Sequence, residues 1–344
     1  MGSKNKISLS DYTESTLLKL IETEVDGNFN DNSKVISKDI LVNALESLTE
    51  GFDEDQLSLM NCTIQEIRNG FKLFNEYKSV RKVTIYGSAR TSPDHSDYST
   101  AREFSRCLAS EGWMSITGAG DGIMKAGHEG PKRKASFGLS IRLPFEVSAN
   151  SVIDGDEKLL HFKYFFTRKL MFMAHADAIA VFPGGFGTQD ELFEALTLIQ
   201  TGKSLPVPLI LLEGEGGSYW KDWEVYIRKQ LLERGMISEG DPDLWYRAPN
   251  IKMAVEYITS FYKVYHSMRY IGKWCILRLE KTLTPDDLED INNNFGHLLE
   301  SGKFEGADPC KEERAYLEKP RIRFHSVRKN FSARYKLIEK INKI

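Results

Sequence analysis

The sequence has few of the features that mark secreted, metal-binding or membrane proteins. Its 344 residues include four cysteines, Cys62, Cys107, Cys275 and Cys310, which lie far apart and form no CxxC pair. This spacing argues against a zinc site or a disulfide framework and fits reduced thiols. The amino terminus lacks the apolar core of a signal peptide, and no apolar run approaches the roughly 20 residues of a membrane span. We therefore expect a cytoplasmic protein with no membrane partner.

A strong excess of one charge is also absent. The chain carries 46 basic and 49 acidic residues, a net charge of -3, so nucleic acid is not an expected partner. The carboxyl-terminal segment is the local exception, because it contains Arg321, Arg323, Arg328, Lys329, Arg334, Lys336 and Lys340. We expect these basic residues to form a solvated surface, and a partner-binding patch is the alternative.

The order of sequence patterns predicts an α/β fold with extensions at both ends. Residues 1–80 contain "STLLKLIETE", "KDILVNALESL" and "NCTIQEIRNGFKLFNEY", whose apolar residues recur at helical spacing. From residue 81 the chain alternates apolar runs with segments long enough for helices; the runs are "KVTIYG", "WMSITG", "FGLSIRL", "AIAVFPGG" and "VPLILLEG". This alternation predicts a doubly wound parallel sheet of the Rossmann-like kind in residues 81–269, after a helical extension over residues 1–80.

Two apolar stretches within this region are predicted as long helices. "KLLHFKYFFTRKLMFMAHA" covers residues 158–176, and "APNIKMAVEYITSFYKVYHSM" covers residues 248–268. Residues 270–344 read as strand, helix, strand and helix, with the first of these helices beginning at Thr284 or Pro285. We therefore predict a small α+β appendage over residues 270–344.

Three glycine-rich loops follow predicted strands: "YGSAR", "TGAGDGIMKAG" and "PGGFGT". Ligands of doubly wound sheets bind at the carboxyl ends of the strands, and a glycine loop before a helix suits a phosphate. The alternative is that the glycines only make tight turns. An NAD fingerprint fails because Ile123 stands at its third glycine, and "TLIQTGKS" is no P-loop because Thr197 stands at its first glycine.

Acidic residues follow the third glycine loop. Thr188 and Glu191 have the spacing of a capping box, which leaves Asp190 and Glu194 unexplained. Glu191 lies about 4.5 Å along a helix from Thr188, so it can face the sugar of a nucleotide whose phosphate binds the loop. Arg168, within the apolar stretch over residues 158–176, should meet a carboxylate such as Glu191 or a ligand phosphate. A structural ion pair or an exposed guanidinium is the alternative.

The motifs "TRK" and "PGGFGTQDE" resemble the R-K and P-G-G-x-G-T-x-x-E signatures of the Lonely guy (LOG) family, formerly labelled lysine decarboxylases. The resemblance extends over residues 82–263, and "LPFE", "FKYFFTRK" and "LTLIQTGK" resemble the longer, type II branch. It implies a phosphoribohydrolase that converts AMP or cytokinin riboside 5'-monophosphates into a free base and ribose 5-phosphate. It also implies that no cofactor is needed and that sites form in a homodimer or higher homo-oligomer.

The resemblance also implies particular site residues. Arg168 and Glu191 correspond to the catalytic pair, and no metal is implied. The implied substrate-binding residues are Gly87, Ser88, Gly118, Gly120, Gly122, Lys169, Gly184, Gly185, Gly187 and Thr188. Ala119 stands where many members have glycine, and Asp121 stands where proline is frequent.

Two other functions are open to a chain with these motifs. A non-catalytic carrier of a nucleotide or of molybdenum cofactor on the same fold is the alternative to an enzyme, and the presence of both Arg168 and Glu191 counts against it. A decarboxylase needs a lysine that forms a Schiff base with pyridoxal phosphate, and no lysine here has a context that recommends it.

Overall fold

A computed structural model describes Thr16, Lys19 and residues 31–143, 149–327 and 331–344. The chain divides into two compact units, Met1–Gln65 and Glu66–Ile344. The predicted helix at "STLLKLIETE" lies outside the described residues except for Thr16 and Lys19, and most of "LPFE" and the residues Arg328 and Lys329 also lie outside them. The boundaries at residues 80 and 269 stay predictions. Among the described helices, none has both the length and the apolar character needed to cross a bilayer.

Two helices in the amino-terminal part confirm the helical pattern there. They are α1, Asp31–Ser47, and α2, Glu54–Glu76. The start of α2 is a reciprocal cap, because Gln56 N donates to Asp53 Oδ1 at 2.8 Å and Asp53 N donates to Gln56 Oε1 at 3.0 Å. Acidic residues in the first turn of α2 also suit the positive end of the helix dipole.

A seven-stranded parallel sheet forms the centre of the second unit and confirms the predicted doubly wound fold. Its order is β4-β3-β2-β1-β5-β6-β7. The strands are β1 Lys82–Tyr86, β2 Met114–Thr117, β3 Ser136–Ile141, β4 Leu159–Phe162, β5 Ala178–Val181, β6 Leu209–Leu211 and β7 Tyr246–Arg247. The helices between them are α3 Ser96–Ser110, α4 Ile123–Glu129, α5 Phe165–Ala174, α6 Phe186–Gln200, α7 Tyr219–Ile227 and α8 Ile251–Ser260, where α8 follows β7.

Both faces of this sheet are buried, which explains why its strands are apolar throughout. Alternate residues of β5 point to opposite faces: Ile179 belongs to one hydrophobic cluster and Ala180 to the other. The first cluster includes Phe172 of α5, and the second includes Phe104 of α3. Helices thus cover the two faces, and the loops at the carboxyl ends of the strands are left for a ligand.

The structure corrects the predicted helix over residues 158–176. Leu159–Phe162 is strand β4, which pairs in parallel with β3 at the edge of the sheet, and α5 begins only at Phe165. A short apolar segment such as this one fits a helix and a strand equally well by its spacing alone. Here the hydrogen bonds to β3 make it a strand. Glu66 holds the junction, because its carboxylate accepts from Lys163 N and from Thr167 Oγ1. The "PGGFGT" loop therefore follows the fifth strand along the chain rather than the fourth.

The predicted helix over residues 248–268 is also too long. Asn250 caps its start by accepting from Met253 N at 2.9 Å, and α8 ends at Ser260. The residues "YHSM" belong to strand β8, Tyr265–Ile271, which pairs with β9, Trp274–Leu279. This pairing with a strand further along the chain overrides the local helical spacing.

The remaining residues form the predicted α+β appendage around an antiparallel sheet. Its strand order is β10-β11-β9-β8, with β10 Leu299–Gly306 and β11 Arg321–Ser326. Helices α9, Pro285–Phe295, and α10, Ala333–Asn342, complete it. Thr284 is the N-cap of α9 in a full capping box, as predicted. β10 was not predicted.

The basic residues of this segment form the expected solvated surface only in part, because Lys336 is exposed but two arginines are buried. Arg321 is buried and donates to Glu313 Oε2 at 2.5 Å, and Arg334 is buried and donates to Ser326 Oγ at 2.8 Å. The other described members form salt bridges with acids: Arg323 with Glu305, Lys336 with Asp243 and Lys340 with Asp290. The sequence shows the number of cations, but it could not show that Arg321 and Arg334 are buried or that four of the five described members pair with acids.

Candidate active site

A cavity of about 880 Å³ opens where β1, β2 and β5 end. The three glycine loops and the inner sides of α5 and α6 form its wall. Ten of the predicted site residues line it: Gly87, Ser88, Gly118, Gly120, Arg168, Gly184, Gly185, Gly187, Thr188 and Glu191. Lys169 and Gly122 do not line it. The structure thus brings together loops that lie about 100 residues apart in the sequence.

The first turn of α6 faces this cavity. Gly185 is the N-cap, and the first helical hydrogen bond is from Gln189 N to Gly185 O at 3.0 Å. The N–H groups of residues 186–188 therefore have no intrahelical acceptor, and the positive end of the helix dipole lies beside them. A side chain at Gly184 would meet Thr188 Oγ1 at 2.1 Å, so a glycine is required there. This turn is suited to an anion.

The predicted capping box at Thr188 and Glu191 is wrong. Helix α6 begins two residues before Thr188, and its N-cap, Gly185, makes no side-chain capping bond. Thr188 and Glu191 lie within the helix and are both buried. The glycines lack the side chain that would mark a helix start, which is why the sequence pattern placed it too late.

Glu191 is held between two cations from α5. Arg168 Nη2 lies 4.0 Å from Glu191 Oε1, and Lys169 Nζ lies 3.1 Å from Glu191 Oε2. The predicted meeting of Arg168 with a carboxylate is confirmed. Lys169 also contacts Asp190 at 2.9 Å and Glu194 at 2.7 Å, so one ammonium group compensates the three acids of α6. These contacts explain Asp190 and Glu194.

Burial and charge act in opposite directions on these groups. Burial raises the pKa of the Glu191 carboxyl, and this rise is opposed by Lys169 and then by Arg168. Burial works to lower the pKa of Lys169, but hydrogen bonds to Glu194 and Asp190 outweigh it and the pKa rises to about 12. Lys169 is thus charged near neutral pH, and Glu191 is a stronger proton acceptor than an exposed glutamate.

The second glycine loop differs in part from the prediction. Gly118 and Gly120 line the cavity, whereas Asp121 is exposed and is not a wall residue. Gly122 has φ 59°, and a Cβ there would meet Ser88 O at 2.3 Å. Gly122 therefore packs the second loop against the first rather than touching a ligand, and the acid at position 121 does not face the cavity.

Several wall residues were missed by sequence reasoning. Arg90 lies within the quoted "YGSAR" and adds an exposed cation to the wall. Gln189 also lines the cavity, and its Nε2 donates to Tyr219 Oη at 2.7 Å, which in turn donates to Gly184 O at 2.6 Å. The apolar part of the wall includes Tyr86, Met124, Ile141, Leu143, Phe165, Phe172 and Phe186. Arg90 could have been found from the sequence, because it lies in a quoted glycine loop. Tyr219 could not, because it lies 35 positions from Gly184, the residue that it contacts.

The fold is Rossmann-like, and its cavity wall combines the open first turn of α6 with a buried carboxylate, Glu191. A family described as "Possible lysine decarboxylase" matches residues 118–258. A probable cytokinin riboside 5'-monophosphate phosphoribohydrolase of Oryza sativa subsp. japonica is 28% identical over 39% of this chain and 60% of its own length. The Arabidopsis thaliana enzyme LOG4 is 26% identical over 46% of this chain and 70% of its own length. The resemblance of this chain to the LOG family is confirmed, at modest identity and over part of each protein.

Solved structures also show similarity. A molybdenum cofactor binding protein from Rippkaea orientalis is 21% identical, with a TM-score of 0.38 over 53% of this chain and 95% of that chain. A Moco carrier protein from Chlamydomonas reinhardtii is 18% identical, with a TM-score of 0.37 over 52% of this chain and 96% of that chain. We infer no ligand from these two similarities.

Proposed function

We propose that this protein hydrolyses the N-glycosidic bond of a nucleoside 5'-monophosphate, AMP or a cytokinin riboside 5'-monophosphate, to a free base and ribose 5-phosphate. The observation that carries the proposal is Glu191. It is a buried carboxylate in the cavity wall, flanked by two cations and one turn further along α6 than the open N–H groups. The sequence similarity to curated phosphoribohydrolases supports the same reaction.

The phosphate is assigned to the first turn of α6. The N–H groups of residues 186–188 supply donors, and the exposed guanidinium of Arg90 supplies positive charge in the same wall. From Thr188 to Glu191 the helix rises about 4.5 Å, which spans the distance from a 5'-phosphate to the far side of its ribose. With the phosphate on this turn, the carboxylate of Glu191 faces the sugar.

The residues fit the chemistry of glycosidic cleavage. Breaking the bond between C1' and the base nitrogen builds positive charge on the sugar, which a carboxylate stabilises. Water attacks C1' and leaves its hydroxyl there, the bonding electron pair goes to the base, and the base gains a proton. Glu191 orients the water or stabilises the charged sugar, while Arg168 and Lys169 fix the carboxylate.

A homo-oligomer is part of the proposal. Helix α5 exposes Phe165, Phe166 and Leu170 to 50%, 51% and 45%, and Phe186 at the start of α6 is 96% exposed. Phe165 and Phe186 also line the cavity, so a second copy of the chain that covers this surface would complete the wall. We also propose a cytoplasmic location, because the four cysteines lie far apart in the sequence and form no CxxC pair, as is typical of reduced thiols.

A panel of nucleoside monophosphates assayed for ribose 5-phosphate tests the proposal. AMP or an N6-modified AMP is expected to give equal amounts of base and ribose 5-phosphate with no added metal or cofactor. Tight nucleotide binding with no product over hours would overturn the proposal and favour a carrier. Release of carbon dioxide from lysine instead of base from a nucleotide would favour a decarboxylase.

A further inference from the structure

A buried amide holds the second glycine loop in place. Asn150 Nδ2 donates to Ala119 O at 3.0 Å and to Gly120 O at 2.9 Å, and the backbone N–H of Asn150 donates to Ala119 O at 2.8 Å. Asn150 is 5% exposed and is not a cavity-wall residue, whereas Gly118 and Gly120 are wall residues. One side chain outside the wall thus fixes a part of the wall.

The orientation of this amide is fixed by its partners. Its Oδ1 accepts from Val152 N at 3.2 Å, so its NH₂ group must face the two carbonyls. His128 Nδ1 lies 3.2 Å from Asn150 Nδ2, and the ring is fully buried. Burial lowers the pKa of His128 to about 4, so the ring is uncharged near neutral pH. The cluster therefore does not titrate in the range of an ordinary assay.

The same cluster holds the other side of the loop. His128 Nε2 lies 2.9 Å from Thr117 Oγ1 and 3.0 Å from Phe137 O. Thr117 Oγ1 in turn accepts from Ala119 N at 3.1 Å. Both backbone polar groups of Ala119 are thus bound, its carbonyl by Asn150 and its N–H by Thr117.

Ala119 needs this support because its backbone is strained. Its φ is 63°, in the left-handed region that glycine enters freely and alanine enters at a cost. Strained residues persist where the surroundings over-determine them, and they concentrate at ligand sites. Ala119 is also buried. The hydrogen bonds to its N–H and its carbonyl hold the backbone in a conformation from which it would otherwise relax.

We propose that Asn150 is a positioning residue, which holds the loop Gly118–Gly120 in the conformation that forms its part of the cavity wall around the bound ribose 5-phosphate group. The inference rests on the proposed function for the identity of the ligand. When the amide is removed, the receptive conformation becomes a minor one, and the apparent affinity falls by the fraction of protein that remains in it. Arg168 and Glu191 lie on α5 and α6 rather than on this loop, so the turnover rate of bound substrate, kcat, should stay nearly unchanged.

The test is Asn150→Ala, with two readouts. If about a tenth of the protein stays in the receptive conformation, the KM for AMP should rise about tenfold, and so should the Kd for ribose 5-phosphate measured by calorimetry. We expect kcat to change less than about twofold. Adding Ala119→Gly to Asn150→Ala should recover part of the affinity, because glycine removes the strain. Asn292→Ala is the matched control, since Asn292 Nδ2 donates to Leu288 O and Phe304 O in the appendage. It should alter stability but neither constant.

The outcomes separate this inference from the proposed function. A wild-type protein that binds ribose 5-phosphate but cleaves no nucleotide contradicts the proposed reaction, and the Kd comparison still tests Asn150. Unchanged KM and Kd in folded Asn150→Ala, or a loss confined to kcat, would overturn the positioning role. So would a wild-type protein that binds neither AMP nor ribose 5-phosphate. If Asn150→Ala does not fold, Asn150→Ser is measured in the Ala119→Gly background and must still weaken binding relative to Ala119→Gly alone.

Discussion

Lys169 offers the most informative perturbation of the site, because one ammonium group contacts three carboxylates. Its Nζ lies 3.1 Å from Glu191, 2.9 Å from Asp190 and 2.7 Å from Glu194. Lys169→Met keeps much of the length of the side chain and removes the charge. Three acids then lie within less than one and a half helical turns of α6, and Arg168 remains 4.0 Å from Glu191.

The size of the effect follows from how exposed each contact is. The side chains of Lys169 and Glu191 are 14% and 9% exposed, so their contact is a buried pair, whereas Asp190 is 63% exposed. Loss of one partner from a buried pair costs about 3–5 kcal/mol, and a surface pair contributes at most about 1 kcal/mol. We expect Lys169→Met to lower the free energy of unfolding by about 3 kcal/mol at pH 7. The pKa of Lys169 is raised from 10.5 to about 12, so its contribution is complete below pH 10.5 and is lost as pH rises through about 12.

The same variant should change the pH dependence of turnover. Lys169 opposes the rise that burial causes in the pKa of Glu191, so its removal raises that pKa further. The acidic limb of the profile of kcat/KM against pH should therefore move to higher pH.

Lys158→Met is the matched control for this variant. Lys158 forms a buried pair with Asp156 at 2.6 Å, with side chains 7% and 9% exposed, and neither residue lines the cavity. It should lose similar stability and leave the profile in place. An unmoved acidic limb in folded Lys169→Met would refute the electrostatic role of Lys169.

Two further predictions concern other parts of the molecule. Glu313→Gln should lower the free energy of unfolding by about 3 kcal/mol in urea titrations, because it leaves the buried cations of Arg278 and Arg321 without their carboxylate. In the wild type, burial works to raise the pKa of Glu313, but hydrogen bonds from these two arginines outweigh it and lower the pKa from 4.5 to about 2. The stabilising effect of the Glu313 carboxylate should therefore be lost as pH falls from 4.5 through about 2. A free energy of unfolding that does not change with pH in this range would contradict the prediction. Phe166→Asp should convert the proposed oligomer into a 39.2 kDa monomer in light scattering, and a wild-type protein that is already monomeric would contradict the oligomer.

The sequence predicted the parts of the fold that local chemistry determines. Apolar runs separated by helical segments predicted five of the seven parallel strands, and Thr284 with Pro285 predicted the start of α9. It missed β4, β7, β8 and β10. Leu159–Phe162 in β4 and Tyr265–Ile271 in β8 owe their extended shape to pairing with strands elsewhere in the chain. Hydrophobic periodicity describes one segment at a time and gives no information about the strand with which that segment pairs.

The site was predictable to a similar extent. The glycine loops and the spacing of Arg168 and Glu191 indicated which residues meet, and the structure places them in one wall. The pairing of Lys169 with Asp190 and Glu194 depends on how α5 packs beside α6, which no local pattern contains. Asn150 was missed for the same reason, since it lies 31 positions from the loop that it holds.

Glu191→Gln tests the central claim most directly. The variant keeps the shape of the side chain and removes the carboxylate, and Glu194→Gln, one turn further along α6 and outside the cavity wall, is its control. We expect wild type and Glu194→Gln to release ribose 5-phosphate from AMP or an N6-modified AMP. Glu191→Gln should do so about 10²- to 10⁴-fold more slowly, with unchanged binding of ribose 5-phosphate. Full turnover in Glu191→Gln would contradict the assigned role of this carboxylate in the reaction.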